Sequence, residues 1–552
     1  MSKKARGADL ITQCLEVAGI RYVFGLPGEE NMDFIDSLND SSIKFVMTRH
    51  EQSAAFMADV YGRLTGKIGV CTATLGPGAT NLITGIADAY LDHAPLLAIV
   101  GQGATNRLHK ESHQIIELTR LFESITKYSR LISETEAIIE IISTALVEAC
   151  SHKPGPVLIV LPENIAGKEV DVPRLASQDP VDLPLASDAT INKAQLALKK
   201  AKKPLILIGN GAVRNNAARQ VTDFINISGA PFTTTFMAKG TVTDEHPLRL
   251  MTTGLSDNEH TACGFDQADL VITIGYDLVE FDPGQWHQNQ DQLIIHIDST
   301  QAEIDRNYMP AISIIGDIAN NLASLTMALK TTAHQPPEDW SSLLRTSIQQ
   351  YETEHVTADE FPVKPQRLLH DLRQVMARDD ILISDVGAHK VWIAHLWHSL
   401  SPNTCVISNG FASMGISLPG AIAAKLAFPE RMVVVATGDA GFMMNVQELE
   451  TALRLKMAFI VLVWNDSGYG LIEWHQQKRY GYSNDVKFNN PDFVTLAESF
   501  GAKGFRVKSA EDLALTLKAA ADCGTVAVID CPVDYTENMR LTERLGSLTC
   551  IN

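Results

Sequence analysis

The 552 residues carry 46 lysines and arginines against 65 aspartates and glutamates, a formal net charge of −19, with 45% hydrophobic and 20% charged side chains. That length exceeds one hydrophobic core, and that charge argues against nucleic-acid or anionic-membrane partners, which need basic surface. No apolar run reaches the ~20 residues of a membrane helix, and no signal-peptide apolar region follows the first residues. The eight cysteines are scattered singly; residues such as Cys71 read as buried thiols, and a reducing cytoplasm is the expected location.

From residue 8 to about 165, apolar runs of strand length alternate with helix-competent segments: 22–24, 43–46, 68–72, 96–100 and 157–161. This is doubly wound patterning. Within it, Thr48-Arg49-His50-Glu51-Gln52 sets an acid between a strand end and a helix, where a carboxylate is usually a cap or charge complement. Gly76-Pro77-Gly78 follows another strand and opens a helix, leaving backbone N–H groups that suit a polar ligand. A Pro- and Asp-rich linker is expected from Glu169 to Leu185.

The second block has strands at 205–208, 270–274 and 293–297. Its Gly209-Asn210-Gly211 turn has Arg214 where a dinucleotide fingerprint needs a third glycine, so a structural turn is favoured. Gly275 to Pro283 is acidic where a second diphosphate would prefer cations. A helix-bearing linker from Thr331 to Pro365 precedes the third block. The expected domains are 1–168, 186–330 and 366–552, three α/β doubly wound parallel-sheet domains.

In the third block, Asp439 and Asp466 stand 27 residues apart, each directly after an apolar run. A helix over Asn445–Lys456 would make this a parallel crossover unit, with both acids at the carboxyl edge where open sheets bind ligands. Two carboxylates beside small residues suit Mg²⁺ bridging to a diphosphate. Ser384 to His389 ends another strand and can aim amides and His389 at a phosphate. After Asp466, Ser467-Gly468-Tyr469-Gly470 offers the Gly468 carbonyl as a further metal ligand.

Glu51 in Arg-His-Glu-Gln, the Gly76-Pro77-Gly78 turn, Met414 in Ser-Met-Gly, and Gly438-Asp439 followed by Asp466 resemble, in order and over essentially the whole chain, the thiamine diphosphate enzymes of the acetohydroxyacid synthase group. Ala440 stands where that family usually has Gly, and Asp466 where many members have Asn; both leave the oxygen ligands in place. The resemblance implies three domains of the thiamine diphosphate enzyme type, with thiamine diphosphate and Mg²⁺ as cofactors. It implies that Glu51 hydrogen-bonds N1′ of the aminopyrimidine and that Met414 lies beneath the cofactor. Asp439, Asp466 and Gly468 would hold the metal, and Gly76, Pro77, Asn81, Gly387, Ala388, His389, Gly410, Gly438, Ala440, Gly441 and Tyr469 would line the cofactor. Gln114 and His113 would orient the acceptor 2-ketoacid.

The activity so implied is decarboxylation of pyruvate and ligation to a second pyruvate, giving 2-acetolactate and CO₂. It would be carried out by a homodimer or homotetramer whose sites pair Glu51 of one chain with the metal aspartates of another. The middle block, from Thr273 to Pro283 and on through Trp286, resembles the catabolic, flavin-free members, so FAD is not expected. His113-Gln114 also resembles the catabolic form. Phe442 to Glu448, however, resembles the biosynthetic wording. A biosynthetic FAD-containing synthase that also uses 2-ketobutyrate, or a related 2-ketoacid decarboxylase, therefore stays open. Trp474-His475 stands near the residue that sets acceptor preference in the biosynthetic members.

Overall fold

The structure is a computed structural model and describes residues 4–172, 182–254, 261–287 and 291–538. Three parallel sheets carry it, with helices in nearly all the crossovers between successive strands, as parallel pairing favours; the connection from Leu293–Asp298 to Ile312–Ile315 in the middle sheet is made without a helix. The N-terminal sheet has six strands in the spatial order Lys44–Met47, Tyr22–Gly25, Gly69–Ala73, Leu96–Gln102, Pro156–Pro162 and Tyr128–Leu131. Its central strands are fully buried, the state that the apolar runs of Leu96–Gln102 and Pro156–Pro162 call for. The middle sheet runs Phe232–Thr234, Pro204–Ile208, Leu270–Ile274, Leu293–Asp298 and Ile312–Ile315. The C-terminal sheet runs Cys405–Ile407, Ile381–Ser384, Val433–Gly438, Phe459–Asn465, Val526–Pro532 and Lys503–Arg506.

Near one edge of each sheet the strand order reverses between the first and third strands in chain order, and the crevice at that switch point is where an open α/β sheet binds its ligand. In the C-terminal sheet the reversal lies between Ile381–Ser384 and Val433–Gly438, paired with Ser384 opposite Ala436. The residues that follow these two strands, from Asp385 and from Asp439, therefore border the crevice.

Three expectations need correction. The linker from Glu169 begins as a strand, Glu169–Asp171, antiparallel to Lys4–Arg6; residues 173–181 of it lie outside the described residues. The helix expected over 445–456 starts at Glu448 and ends at Arg454; Asn445 lies ahead of it with its side chain on tertiary partners, and Lys456, at φ 54, is outside helical geometry. A separate short helix, Asp439–Met444, comes first. Cys71 is a free buried thiol, with burial pushing its pKa up, but Cys263 is disulfide-bonded rather than a thiol.

Contacts divide the chain into two compact units. One holds residues 1–180 with 410–430 and 442–458; the other holds 181–409 with 431–441 and 459–552. Among the described residues no helix is long and apolar enough to cross a membrane.

Candidate functional site

In the first unit, Glu51 is the first residue of the helix Glu51–Thr65. The cap is not Glu51 but His50, whose Nδ1 accepts the Gln52 N–H at 3.1 Å. Freed from that duty, the half-buried Glu51 carboxylate accepts from Asn81 Nδ2 at 3.0 Å. A Cβ on Gly78 would meet its Oε1 at 3.3 Å. Gly76 caps the short helix Pro77–Asn81 at φ +51, and a Cβ there would lie 2.8 Å from the Gln114 carbonyl. Glycine suits both the conformation and the close approach. Glu51, Gly76, Asn81 and Gln114 thus share one neighbourhood, around the helix opened by Pro77. His113 is exposed next to Gln114, which itself sits at φ 58.

The Gly410–Met414 loop belongs to this same unit. Met414 is half-buried, and the Gly410 N–H is already taken by Asp92 Oδ1 at 2.7 Å.

In the second unit, Asp439 follows its strand at the switch point. Its Oδ1 accepts from the Ala440 N–H at 2.7 Å, and its Oδ2 from the Ser467 N–H at 2.8 Å and Asn490 Nδ2 at 2.7 Å. Asp466 follows the adjacent strand, and a Cβ on Gly470 would meet its Oδ2 at 2.7 Å. Burial first, then the charge of Asp439, pushes the Asp466 carboxyl up to about 7. Burial likewise raises Asp439. Two desolvated acids that repel one another are relieved by a cation between them. Gly468 lies in the turn beyond, bridged to Lys487, after Ser467 at φ 52. Tyr469 is exposed, its ring edge-on to Phe488.

His389 lies in the first turn of the helix Ala388–Leu396, and its ring packs against Gly387 and Gly438; a Cβ on Gly387 would come within 2.8 Å of it. Burial pushes its pKa down to about 3. It is therefore a neutral imidazole and offers a hydrogen bond rather than a charge, and its buried Nε2 has no hydrogen-bond partner among the described residues. A Cβ on Gly441 would meet Asp385 Oδ1 at 2.6 Å, so a larger residue there would push the strand ends apart. An orphaned buried nitrogen and two cation-seeking carboxylates fit a metal-bound diphosphate. A cavity of about 660 Å³ opens at this edge, lined in part by Asp466, Glu473, Trp474, Lys487 and Tyr535.

The middle sheet's switch point is occupied from within. Glu280 accepts from the Asn210 N–H at 2.9 Å, the Asp277 N–H at 3.2 Å and Thr235 Oγ1 at 2.5 Å, and Arg214 pairs with Asp277 at 2.8 Å. A carboxylate thus sits on the turn amides that a phosphate would need.

Sequence reasoning missed several polar residues that hold these groups. Asn490 fixes Asp439 and also donates to Asn465 Oδ1 at 3.0 Å. Glu448 accepts the Arg49 N–H at 3.0 Å, just before Glu51. Asn445 joins Ser53 to Gly415. Nothing in their spacing marks them out, because each acts on a residue distant in sequence.

Thiamine pyrophosphate enzyme domains match along the chain: the N-terminal TPP binding domain over residues 5–121, the central domain over 191–325 and the C-terminal TPP binding domain over 385–531. The acetolactate synthase of Bacillus subtilis (strain 168) is 36% identical, covering 98% of this chain and 95% of its own. A catabolic acetolactate synthase of Raoultella terrigena is 35% identical over 98% and 97%. A probable acetolactate synthase large subunit of Methanocaldococcus jannaschii is 34% identical over 99% and 95%. The chain therefore belongs to the thiamine pyrophosphate enzyme family, in the company of acetolactate synthases, and is a thiamine-diphosphate-dependent enzyme.

Proposed function

We propose that this enzyme is a flavin-free acetolactate synthase of the cytoplasm, which decarboxylates pyruvate and ligates the two-carbon fragment to a second pyruvate, giving 2-acetolactate and CO₂. The observation that carries the reading is a freed helix-start acid, Glu51 on Asn81, in a chain matched end to end by acetolactate synthases. Asp439, Asp466 and the Gly468 carbonyl would hold Mg²⁺, whose remaining ligands would be diphosphate oxygens and water. His389 Nε2 and the amides following Gly387 and Gly438 would hydrogen-bond the diphosphate; Ala440's own amide is engaged by Asp439. Thiamine diphosphate, when bound, supplies the carbon that adds to a 2-ketoacid carbonyl and accepts the electron pair released as CO₂ leaves.

Glu51 would hold a proton against N1′ of the aminopyrimidine, with Asn81 fixing the carboxylate's direction. Met414 would support the cofactor from below, and Gln114 with His113 would orient the acceptor carbonyl. Glu51 of one chain would serve the metal aspartates of a second copy in a homodimer or homotetramer. The exposed Phe411, Met443 and Met444 of the first unit support such a covered face. Glu280 on the Asn210 amide supports the absence of FAD, since a diphosphate would have to displace it.

The test is to incubate the purified protein with pyruvate, Mg²⁺ and thiamine diphosphate and identify the product by NMR. Acetolactate from a colourless protein supports the reading. Acetaldehyde alone would mean a decarboxylase, and a yellow protein absorbing in the flavin bands would mean the biosynthetic type.

A further inference from the structure

The loop from Gly410 to Gly415 is not held in shape by its own backbone preferences. Ala412 sits at φ 56 and Gly415 at φ 89. A left-handed alanine persists only where its surroundings over-determine it. Here those surroundings are buried side chains of the same compact unit. Asp92 Oδ1 accepts the Gly410 N–H at 2.7 Å, and Asp88 Oδ1 accepts the Ser413 N–H at 3.3 Å. Asn445 Nδ2 donates to the Gly415 carbonyl at 2.8 Å. All three side chains are buried. The last two anchors grip the residues immediately before and after Met414, and together they fix the direction in which its Cα–Cβ bond leaves the chain.

The anchors are themselves fixed. Asn445 Oδ1 accepts from Ser53 Oγ at 2.9 Å, two residues into the Glu51 helix. A Cβ on Gly415 would meet Asn445 Nδ2 at 2.7 Å, so the contact allows no larger residue. Asp92 Oδ2 pairs with Arg63 at 3.0 Å. Asp59, also on the Glu51 helix, is fully buried against Asp88, and neither of its oxygens accepts a hydrogen bond. Three carboxyls facing one guanidinium away from water cannot all be ionised. Burial and the charge of Asp88 keep the proton on Asp59, which can then donate it to Asp88.

We propose that Asp88, Asp92 and Asn445 are positioning residues that hold Met414 at its working height, an inference that rests on the reading of Met414 as the residue beneath the cofactor. They act through the loop backbone and need not touch the cofactor. Displacing Met414 should leave the diphosphate and metal contacts in place but remove the support beneath the cofactor. Its affinity should then hardly change, while its activation suffers.

The test uses the full-length protein with thiamine diphosphate and Mg²⁺ and no substrate. Cofactor affinity is read by fluorescence titration, and activation by deuterium exchange at C2 of the bound cofactor, quenched and read by NMR. Asn445→Asp keeps the volume and the acceptor for Ser53 but removes the donor to Gly415. Asn445→Ser is a second, smaller variant, and Met414→Ala is the reference. The expected result is exchange slowed about tenfold or more in all three, with affinity changed less than about threefold. Parent-rate exchange in both Asn445 variants, with Met414→Ala slowed, would overturn the inference and leave the Met414 reading standing. Weakened affinity at parent-rate exchange marks a merely structural role and also overturns it. Parent-rate exchange in Met414→Ala would sink the Met414 reading itself, and the inference with it.

Discussion

A metal held by Asp439 and Asp466 must compete with protons. The Asp466 carboxyl is pushed up to about 7, by burial and by the neighbouring Asp439 charge, whereas a free aspartate titrates near 3.8. A cation binds the ionised form. A carboxyl with a pKa of about 7 is roughly one-tenth ionised at pH 6 and one-hundredth at pH 5, so affinity should fall about tenfold per pH unit below 7. Between pH 8 and pH 5 that amounts to about 2.7 kcal/mol. The stability sign is that of a raised acid. The metal-free protein loses stability as pH rises from the ordinary aspartate range through 7, because the unfolded chain sheds the proton more readily. A bound cation returns that loss, so its stabilising effect should be larger at pH 8 than at pH 5. Mn²⁺ alone, without the titrating diphosphate, can be followed by electron paramagnetic resonance from pH 5 to 8.5. Calorimetry in two buffers of different ionisation enthalpy should show close to one proton released per cation below pH 7 and few above 8. Asp466→Asn should bind more weakly with little pH dependence. A parent affinity that is flat between pH 5 and 7 would refute the argument.

Glu51→Gln should lower turnover by about 10²–10⁴-fold while cofactor affinity stays close to the parent's, checked by steady-state kinetics beside fluorescence titration; retained turnover removes Glu51 from the chemistry. Asn490→Ala deletes the Nδ2 donor to Asp439, a hydrogen bond to a charged group worth about 1.5–3 kcal/mol, so Mg²⁺ affinity should drop roughly ten- to a hundredfold in a calorimetric titration. Unchanged affinity would show that Asn490 does not hold that carboxylate. Asp59, whose pKa lies well above the ordinary range through burial and Asp88, costs stability as pH rises. Asp59→Asn keeps a donor toward Asp88 and cannot ionise, so its melting temperature should exceed the parent's at pH 8 and match it near pH 4. Equal melting temperatures at both would mean Asp59 is ionised in the native protein.

The strands that sequence reading found are mostly ones buried on both faces, such as Leu96–Gln102 and Phe459–Asn465, where an unbroken apolar run has no other home; the edge strand Lys44–Met47 was found as well. Those it missed are mostly sheet edges. Tyr128–Leu131, Ile312–Ile315 and Lys503–Arg506 are half-covered, and their residues alternate too weakly to stand out. Val526–Pro532 is the exception: a central, buried strand, passed over although its Val-Ala-Val-Ile run is apolar.

The same division runs through the candidate site. An acid at a helix start, a glycine turn and two acids after apolar runs are legible in one dimension, because each depends on its immediate neighbours and on where a strand must end. That Glu51 is held by Asn81, that His389 is neutral, and that Asn490 holds Asp439 were decided by tertiary structure alone. Hydrogen-bond partners and burial are set by residues brought together across the fold, and a local pattern carries no record of them. Composition and periodicity were enough for three α/β sheets with acids at a carboxyl edge; only the packed chain could assign each acid its proton, its partner and its direction.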